Sequence, residues 1–151
     1  MLLNLTISAL EAGKLKDAEK YANEMLRQAK EPGKRSWNYW TLSYYANFTL
    51  GMVALKREKI EDACKYLLAA GNAPGSPFPG SEPYMLLADE LLEKGKRECV
   101  IKFLKSCSRF WKKDVCSNWI KKIESGATPE LDKDKWLRRK IEKKYQNQPL
   151  K

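Results

Sequence analysis

The 151-residue sequence contains no histidine. This absence excludes nucleophile systems in which His activates Ser or Cys, and it excludes zinc sites built from mixed Cys and His ligands. The stretch from Gly71 to Gly80 lacks the Lys-Ser/Thr ending of a phosphate-binding loop. Neighbouring carboxylates such as Glu61 and Asp62 point to different parts of a helix surface, unlike an acid–base pair. We therefore expect no enzymatic activity, no metal and no cofactor.

Cysteine is sparse, and its spacing does not suit metal binding. The four residues form no C-x-x-C pair; they are Cys64, Cys99, Cys107 and Cys116. A disulfide framework is typical of small, loop-rich secreted chains, and this sequence is not of that kind. We expect the thiols to be free and to pack as small apolar groups in amphipathic helices. Such usage predicts a reducing, cytoplasmic compartment.

No apolar run approaches the roughly 20 residues that a membrane-spanning helix needs. Residues 1–5 also lack the basic region and the cleavage site of a secretory signal. We therefore expect no transmembrane segment. An amphipathic pattern is already under way at Met1, so the sequence leaves open whether the natural chain begins upstream.

The net charge of +10 is confined to the C-terminal part of the chain. Residues 1–93 have a net charge of −1, whereas residues 94–122 have +8 and residues 132–151 have +5. Such one-sided charge creates a positive field that attracts acidic partners.

Apolar residues recur at helical spacing along almost the whole chain. They predict eight helices, at residues 2–12, 15–30, 36–56, 60–71, 83–94, 96–112, 114–125 and 132–146. The helix at 36–56 is apolar on all sides, which predicts that neighbours surround it and that it is the central element of the core. The Pro- and Gly-rich loop at 72–83 is longer than a usual connection and is either a recognition loop or a rigid spacer.

Three helix pairs share one internal register. Their turn residues are Gly13, Glu58 and Gly95, which lie 45 and 37 positions apart. A helix pair cannot bury its apolar face alone, so units of this kind stack on their neighbours into a solenoid.

The second helix pair resembles a tetratricopeptide repeat. The residues that carry the resemblance are Leu50, Gly51, Ala54, Ala63, Leu67, Ala70 and the exit proline Pro74. Small side chains at Gly51, Ala54 and Ala63 let the two helices of the pair approach closely. The first and third pairs keep part of the pattern, at Leu5, Ala9, Ala18 and Ala22 and at Ala88, respectively.

This resemblance covers residues 1–112 and implies an all-α fold. The expected architecture is a right-handed, TPR-like alpha-alpha superhelix of about three helix pairs with extra C-terminal helices. We assign residues 1–126 to the helical repeat domain and residues 127–151 to a basic C-terminal helix and tail. The family repeats at about 34 residues, so the wider spacing here indicates a degenerate array.

The resemblance also implies a concave groove that binds proteins. The positions that face it would be Tyr45, Phe48, Met52, Leu55, Glu82, Met85, Asp89 and Leu92. They contain none of the Lys, Arg and Asn with which some family members grip C-terminal carboxylates of chaperones, so we do not carry that function over. The groove either receives a partner helix or peptide or is covered by the chain's own next helix, for which 132–146 is a candidate.

A second candidate site is a set of basic residues in the C-terminal part. They are Lys102, Lys105, Arg109, Lys112, Lys113, Arg138, Arg139, Lys140, Lys143 and Lys144. With Trp111, Trp119 and Trp136 nearby, these cations suit nucleic-acid phosphates. They equally suit an acidic protein surface, an anionic membrane face or simple exposure to solvent.

The sequence therefore predicts a protein–protein interaction module, such as a scaffold, an adaptor or a subunit of a larger assembly. A partner helix or segment would be buried on the concave face, while the basic surface steers an acidic partner toward it. The alternative is a nucleic-acid-associated protein that uses the basic C-terminal helices. The partner's identity and the oligomeric state are left open.

Overall fold

The structure, a computed structural model, describes residues 2–31, 37–73, 83–133 and 135–145, without the side chains at positions 37, 38, 136, 144 and 145. These described residues form eight helices and no strand. The helices are α1 (Leu2–Glu11), α2 (Leu15–Ala29), α3 (Trp37–Lys56), α4 (Ile60–Gly71), α5 (Leu86–Glu93), α6 (Arg97–Cys107), α7 (Lys113–Glu124) and α8 (Trp136–Tyr145). The predicted all-α fold class is confirmed.

Three helices are clearly shorter than the apolar pattern predicts. α8 begins at Trp136 rather than at position 132, after Lys135, whose φ of 53° is not helical. At the other two, tertiary hydrogen bonds hold the chain just outside the helix. α5 begins at Leu86 rather than at position 83, and the carbonyl of Tyr84 accepts a hydrogen bond from a tyrosine hydroxyl of α3. α6 ends at Cys107 rather than at position 112. The guanidinium of Arg109, in the turn that follows, donates to the carbonyl of Gly71 at 3.0 Å and so caps the end of α4.

The three predicted turns share one backbone geometry. Gly13, Glu58 and Gly95 have φ angles of 73°, 60° and 82°. In each turn, the following residue donates its N–H over 2.9 Å to the carbonyl five positions earlier. This arrangement is a Schellman motif, which ends a helix and satisfies its last carbonyls. The three turn residues that the sequence aligns thus have the same turn geometry, and Gly126 after α7 has it too, with φ 96°.

The helices form a stack in which each element packs on its neighbours in the chain. From α1 to α7, every helix contacts the next one. Some helices also contact the next but one in the chain: α1 contacts α3, α3 contacts α5, and α4 contacts α6. α3 therefore lies against α1, α2, α4 and α5, which confirms its predicted place at the centre of the core and explains why it is apolar on all sides.

Gly51 lies at the closest approach between α3 and two other helices. A methyl group in place of its hydrogen would overlap the side chain of Leu87 in α5 and would lie 3.3 Å from Cβ of Tyr66 in α4. The sequence predicts a close approach within the second pair. The structure adds a closer one, to the first helix of the third pair.

Aromatic rings join the central helix to the third pair. Trp40 stacks on Tyr44 with ring centroids 4.9 Å apart and meets Phe110 edge-on at 5.2 Å. The Tyr44 hydroxyl donates to the carbonyl of Tyr84 at 3.0 Å. The ring of Tyr84 also packs on Phe48, with centroids 5.4 Å apart. These contacts fix the residues that lead into α5 against α3.

Replacement of Glu58 by glycine should stabilise the protein by about 1 kcal/mol, because a side chain at positive φ costs about that much. Glu58 is exposed, so the change removes no buried contact. The matched control is Gly95→Ala, at φ 82° with no atom within 4 Å of the added methyl group, which should destabilise by about 1 kcal/mol through the backbone alone. Urea unfolding measures both changes in the free energy of unfolding. A Glu58→Gly variant that is less stable than the wild type would contradict the explanation by positive φ.

Candidate functional site

An arginine at the start of α6 binds the backbone at the end of α7. The guanidinium of Arg97 donates to the carbonyls of Ile123, Gly126 and Ala127 at 2.8–2.9 Å. Carbonyls at the end of a helix lack partners within that helix, and a cation there also suits the helix dipole. Arg97 thereby fixes the direction in which residues 127–145, the C-terminal segment, begin.

The C-terminal segment returns across the stack from the third helix pair to the first. Leu131, Leu137 and Ile141 are 1–4% exposed and belong to the same buried cluster as the core of the helix pairs. α8 packs against α1. The segment therefore shares its core with the described helices before residue 126.

A buried ion pair holds the C-terminal segment to α5. Nη2 of Arg138 lies 2.9 Å from Oδ2 of Asp89, and Nη1 lies 2.9 Å from Oε1 of Glu93. The side chains of Arg138 and Asp89 are only 12% and 5% exposed. The second oxygen of Asp89 accepts the backbone N–H of Leu131 at 2.9 Å. One carboxylate thus binds both the chain before α8 and the first turn of α8.

The charges at this contact depend on one another. Burial raises the pKa of the Asp89 carboxyl, and the N–H of Leu131 and the cation of Arg138 oppose that rise. Burial likewise raises the pKa of Glu90, whose Oε1 lies 3.8 Å from Nε of Arg138. Burial alone would lower the pKa of Arg138, but its bond to Glu93 and the nearby carboxylates raise it overall. The guanidinium therefore stays charged and offsets part of the cost of burying the carboxylates.

The residues predicted to line an open groove are covered. Those at most 5% exposed are Phe48, Met52, Leu55, Met85, Asp89 and Leu92. Tyr45 is half-buried between Tyr44 and Tyr84, with ring centroids 5.4 and 5.1 Å away. Glu82 lies outside the described residues. In this structure the chain's own helices cover these positions, as the alternative interpretation of the groove expects.

Most of the predicted basic residues lie on the surface. The exposed ones are Lys102, Lys105, Arg109, Lys112, Lys113, Arg139, Lys140 and Lys143. The side chain of Lys144 is outside the described part. Arg138 does not lie on the surface with the other predicted basic residues. Its guanidinium is largely buried beside three carboxylates of α5. Asp89 and Arg138 are 49 residues apart in the chain. No local sequence pattern relates residues at that distance, so their contact could not be predicted.

The exposed cations of α6, of the following turn and of α7 form what we call the basic face. Its members are Lys102, Lys105, Arg109, Lys112, Lys113, Lys121 and Lys122. Two tryptophans that the sequence places near these cations, Trp111 and Trp119, are 5% and 8% exposed and pack on each other with ring centroids 5.8 Å apart. They belong to the core and leave little surface on which a base could stack.

Within the described residues, no group of three or more His, Cys, Asp and Glu side chains is placed to hold a metal ion. None of the helices described is both long enough and apolar enough to cross a membrane. Comparisons with protein-family models, with curated proteins and with solved structures give no match to this chain. The tetratricopeptide resemblance therefore rests on the residues quoted above.

Loss of the Arg138 guanidinium should destabilise the protein by about 3 kcal/mol, because it leaves buried carboxylates without their cation. Arg138→Gln tests this, and Arg139→Gln is the matched control: the adjacent arginine is exposed, so its loss should change stability by less than about 0.5 kcal/mol. A double-mutant cycle of Arg138→Gln with Asp89→Asn should give a coupling of about 1–3 kcal/mol. Additive effects in urea unfolding would contradict a direct interaction.

Proposed function

We propose that this protein is an interaction module that binds an amphipathic helix of a partner protein on the face formed by α1 and α5. We call this surface the docking face. The observation that supports the proposal is that the chain's own C-terminal segment lies there. Helical stacks provide extended surfaces of this kind, and helix-in-groove binding is a common mode of recognition.

The contacts of α8 define what the docking face accepts. Leu137 and Ile141 lie four positions apart on one side of α8, and both are buried. Apolar anchors at this spacing are the mark of a helix bound in a groove. Arg138 adds a cation that meets the carboxylates of α5. A competing partner helix would therefore carry two apolar side chains four residues apart, with an arginine beside the first.

Several features make the C-terminal segment a replaceable occupant. α8 has only 10 residues, and isolated helices of that length are marginal in water. The segment is held by three buried apolar side chains and by the ion pairs of Arg138 and Lys140. A longer partner helix with the same anchors and more contacts could therefore exceed its affinity.

The basic face gives the proposed module a preferred direction of approach. Residues 94–122 have a net charge of +8, and most of these cations are exposed on α6, α7 and the turn between them. Charge of one sign on one side speeds the encounter with an opposite charge. We therefore expect the partner to be acidic outside the helix that binds the docking face.

A labelled peptide of residues 127–145 tests the proposal in the full-length chain. In the wild type, the attached segment competes at millimolar effective concentration, so the peptide should bind weakly. Arg138→Gln should weaken the attached segment and raise the peptide's affinity at least about tenfold. Arg139→Gln should leave it unchanged. Fluorescence anisotropy measures the three affinities, after circular dichroism has established that the variants are folded.

A peptide with Leu137→Ser and Ile141→Ser is the control for anchoring. It should not bind any of the three proteins, because it lacks the apolar side chains that the docking face buries. Equal binding of both peptides, or equal affinity of all three proteins, would refute helix docking at this face.

The exposed basic face supports a second candidate, binding to nucleic acid. Lysines and arginines that contact phosphates release counterions, so such binding weakens steeply as salt rises. The burial of Trp111 and Trp119 argues against base stacking. This candidate would therefore depend on phosphate contacts and would read little sequence.

Charge reversal separates a localised phosphate site from a general effect of net charge. If the basic face binds a 20-base-pair DNA duplex, Lys105→Glu with Lys113→Glu should lower the affinity at least about tenfold and reduce the salt dependence by about two phosphate contacts. Lys16→Glu with Lys20→Glu, on the exposed side of α2, is the matched control. Equal losses in both double variants would indicate net charge alone, and no binding near 150 mM salt would exclude this candidate.

A further inference from the structure

Two cysteines meet where the second helix pair packs on the third. Cys64 lies in α4 and Cys99 in α6, and these helices are in contact. Their Sγ atoms are 2.7 Å apart, although the residues are 35 positions apart in the chain. Cys64 is 8% exposed and Cys99 is half-buried, whereas Cys107 and Cys116 are fully buried.

We propose that Cys64 and Cys99 form a reversible redox site, which small-molecule disulfides of the glutathione class oxidise to a disulfide that joins α4 to α6. A disulfide bond is about 2.0 Å long, so the two sulfurs need to approach by only about 0.7 Å.

The exchange proceeds in two balanced steps. The more exposed thiol, Cys99, loses its proton to solvent, attacks the small disulfide and forms a mixed disulfide, while one small thiolate leaves and takes up a proton. Cys64 then loses its proton to solvent, and its thiolate attacks the sulfur of Cys99 and forms the internal bond, while the second small thiolate leaves and takes up a proton. Overall, two protein thiols are oxidised and one small disulfide is reduced to two thiols.

The surroundings of Cys99 set the rate of the first step. Burial and the hydrogen bond with Cys64 raise the pKa of the Cys99 thiol, and the nearby ammonium of Lys96 opposes that rise. The reactive thiolate is therefore scarce at neutral pH. Because the thiolate fraction rises about tenfold per pH unit below the pKa, the oxidation should be slow at pH 7 and about thirtyfold faster at pH 8.5.

The bond would add a covalent cross-link between α4 and α6, which otherwise pack through non-covalent contacts. It would close a loop of about 35 residues, which lowers the entropy of the unfolded chain. The midpoint of thermal unfolding should rise by roughly 5–10 °C in the oxidised protein and return to its original value after reduction.

The test is to incubate the folded, full-length protein with oxidised glutathione and to map its thiols by alkylation and mass spectrometry. We expect the loss of two hydrogen atoms and a single link between Cys64 and Cys99, with Cys107 and Cys116 still reduced. A link elsewhere, no reaction in the folded protein, or glutathione that remains on Cys99 of the wild type would overturn the proposal.

Two variants separate the internal exchange from simple thiol exposure. Cys64→Ala should accumulate one glutathione on Cys99, because the resolving thiol is missing. Cys107→Ala keeps both members of the pair and should form the link as the wild type does. If Cys64→Ala gains no glutathione at pH 8.5, or if Cys107→Ala fails to form the link while it remains folded, the assignment is wrong.

Discussion

The return of the chain over the stack depends on one buried carboxylate. Asp89 is 3% exposed within α5, between leucines that belong to the core. An ionised carboxylate at such a place is costly unless a cation pairs with it. That cation, Arg138, lies 49 residues further along the chain. The C-terminal segment therefore crosses α5 after α7, and there it covers Asp89, one of the positions that the sequence assigns to a partner groove.

The stack itself arises from shorter-range constraints. Each helix pair ends its first helix in the same hydrogen-bonded turn, and the next helix begins two residues after the residue with positive φ. Gly51 then lets α3 approach both its own pair and the next one. Repeated local geometry thus builds the scaffold, while long-range contacts, the buried ion pair of Arg138 among them, place the C-terminal segment on one of its faces.

This division explains what could be predicted from the sequence. The helices and the turn residues Gly13, Glu58 and Gly95 follow from patterns within a few residues. The structure has all eight predicted helices among its described residues, although α5, α6 and α8 are shorter than predicted. Arg138 could not be separated from Arg139 in this way, because both stand in one basic run and only the contact with α5 distinguishes them. The contact between the sulfurs of Cys64 and Cys99, 2.7 Å apart, could not be predicted for the same reason: a contact between distant residues leaves no local pattern in the sequence.

The charges of the C-terminal part have two separate roles, although the sequence presents them as one field. Arg138 pairs with the carboxylates of α5, Lys140 lies 3.8 Å from Glu11, and Lys135 pairs with Glu130. Several cations after residue 132 therefore act within the protein and fasten the C-terminal segment. In the function proposed above, long-range attraction of an acidic partner would fall mainly to α6 and α7. Attraction and docking would then use different surfaces, so that a partner could be drawn to the protein while the docking face is still covered.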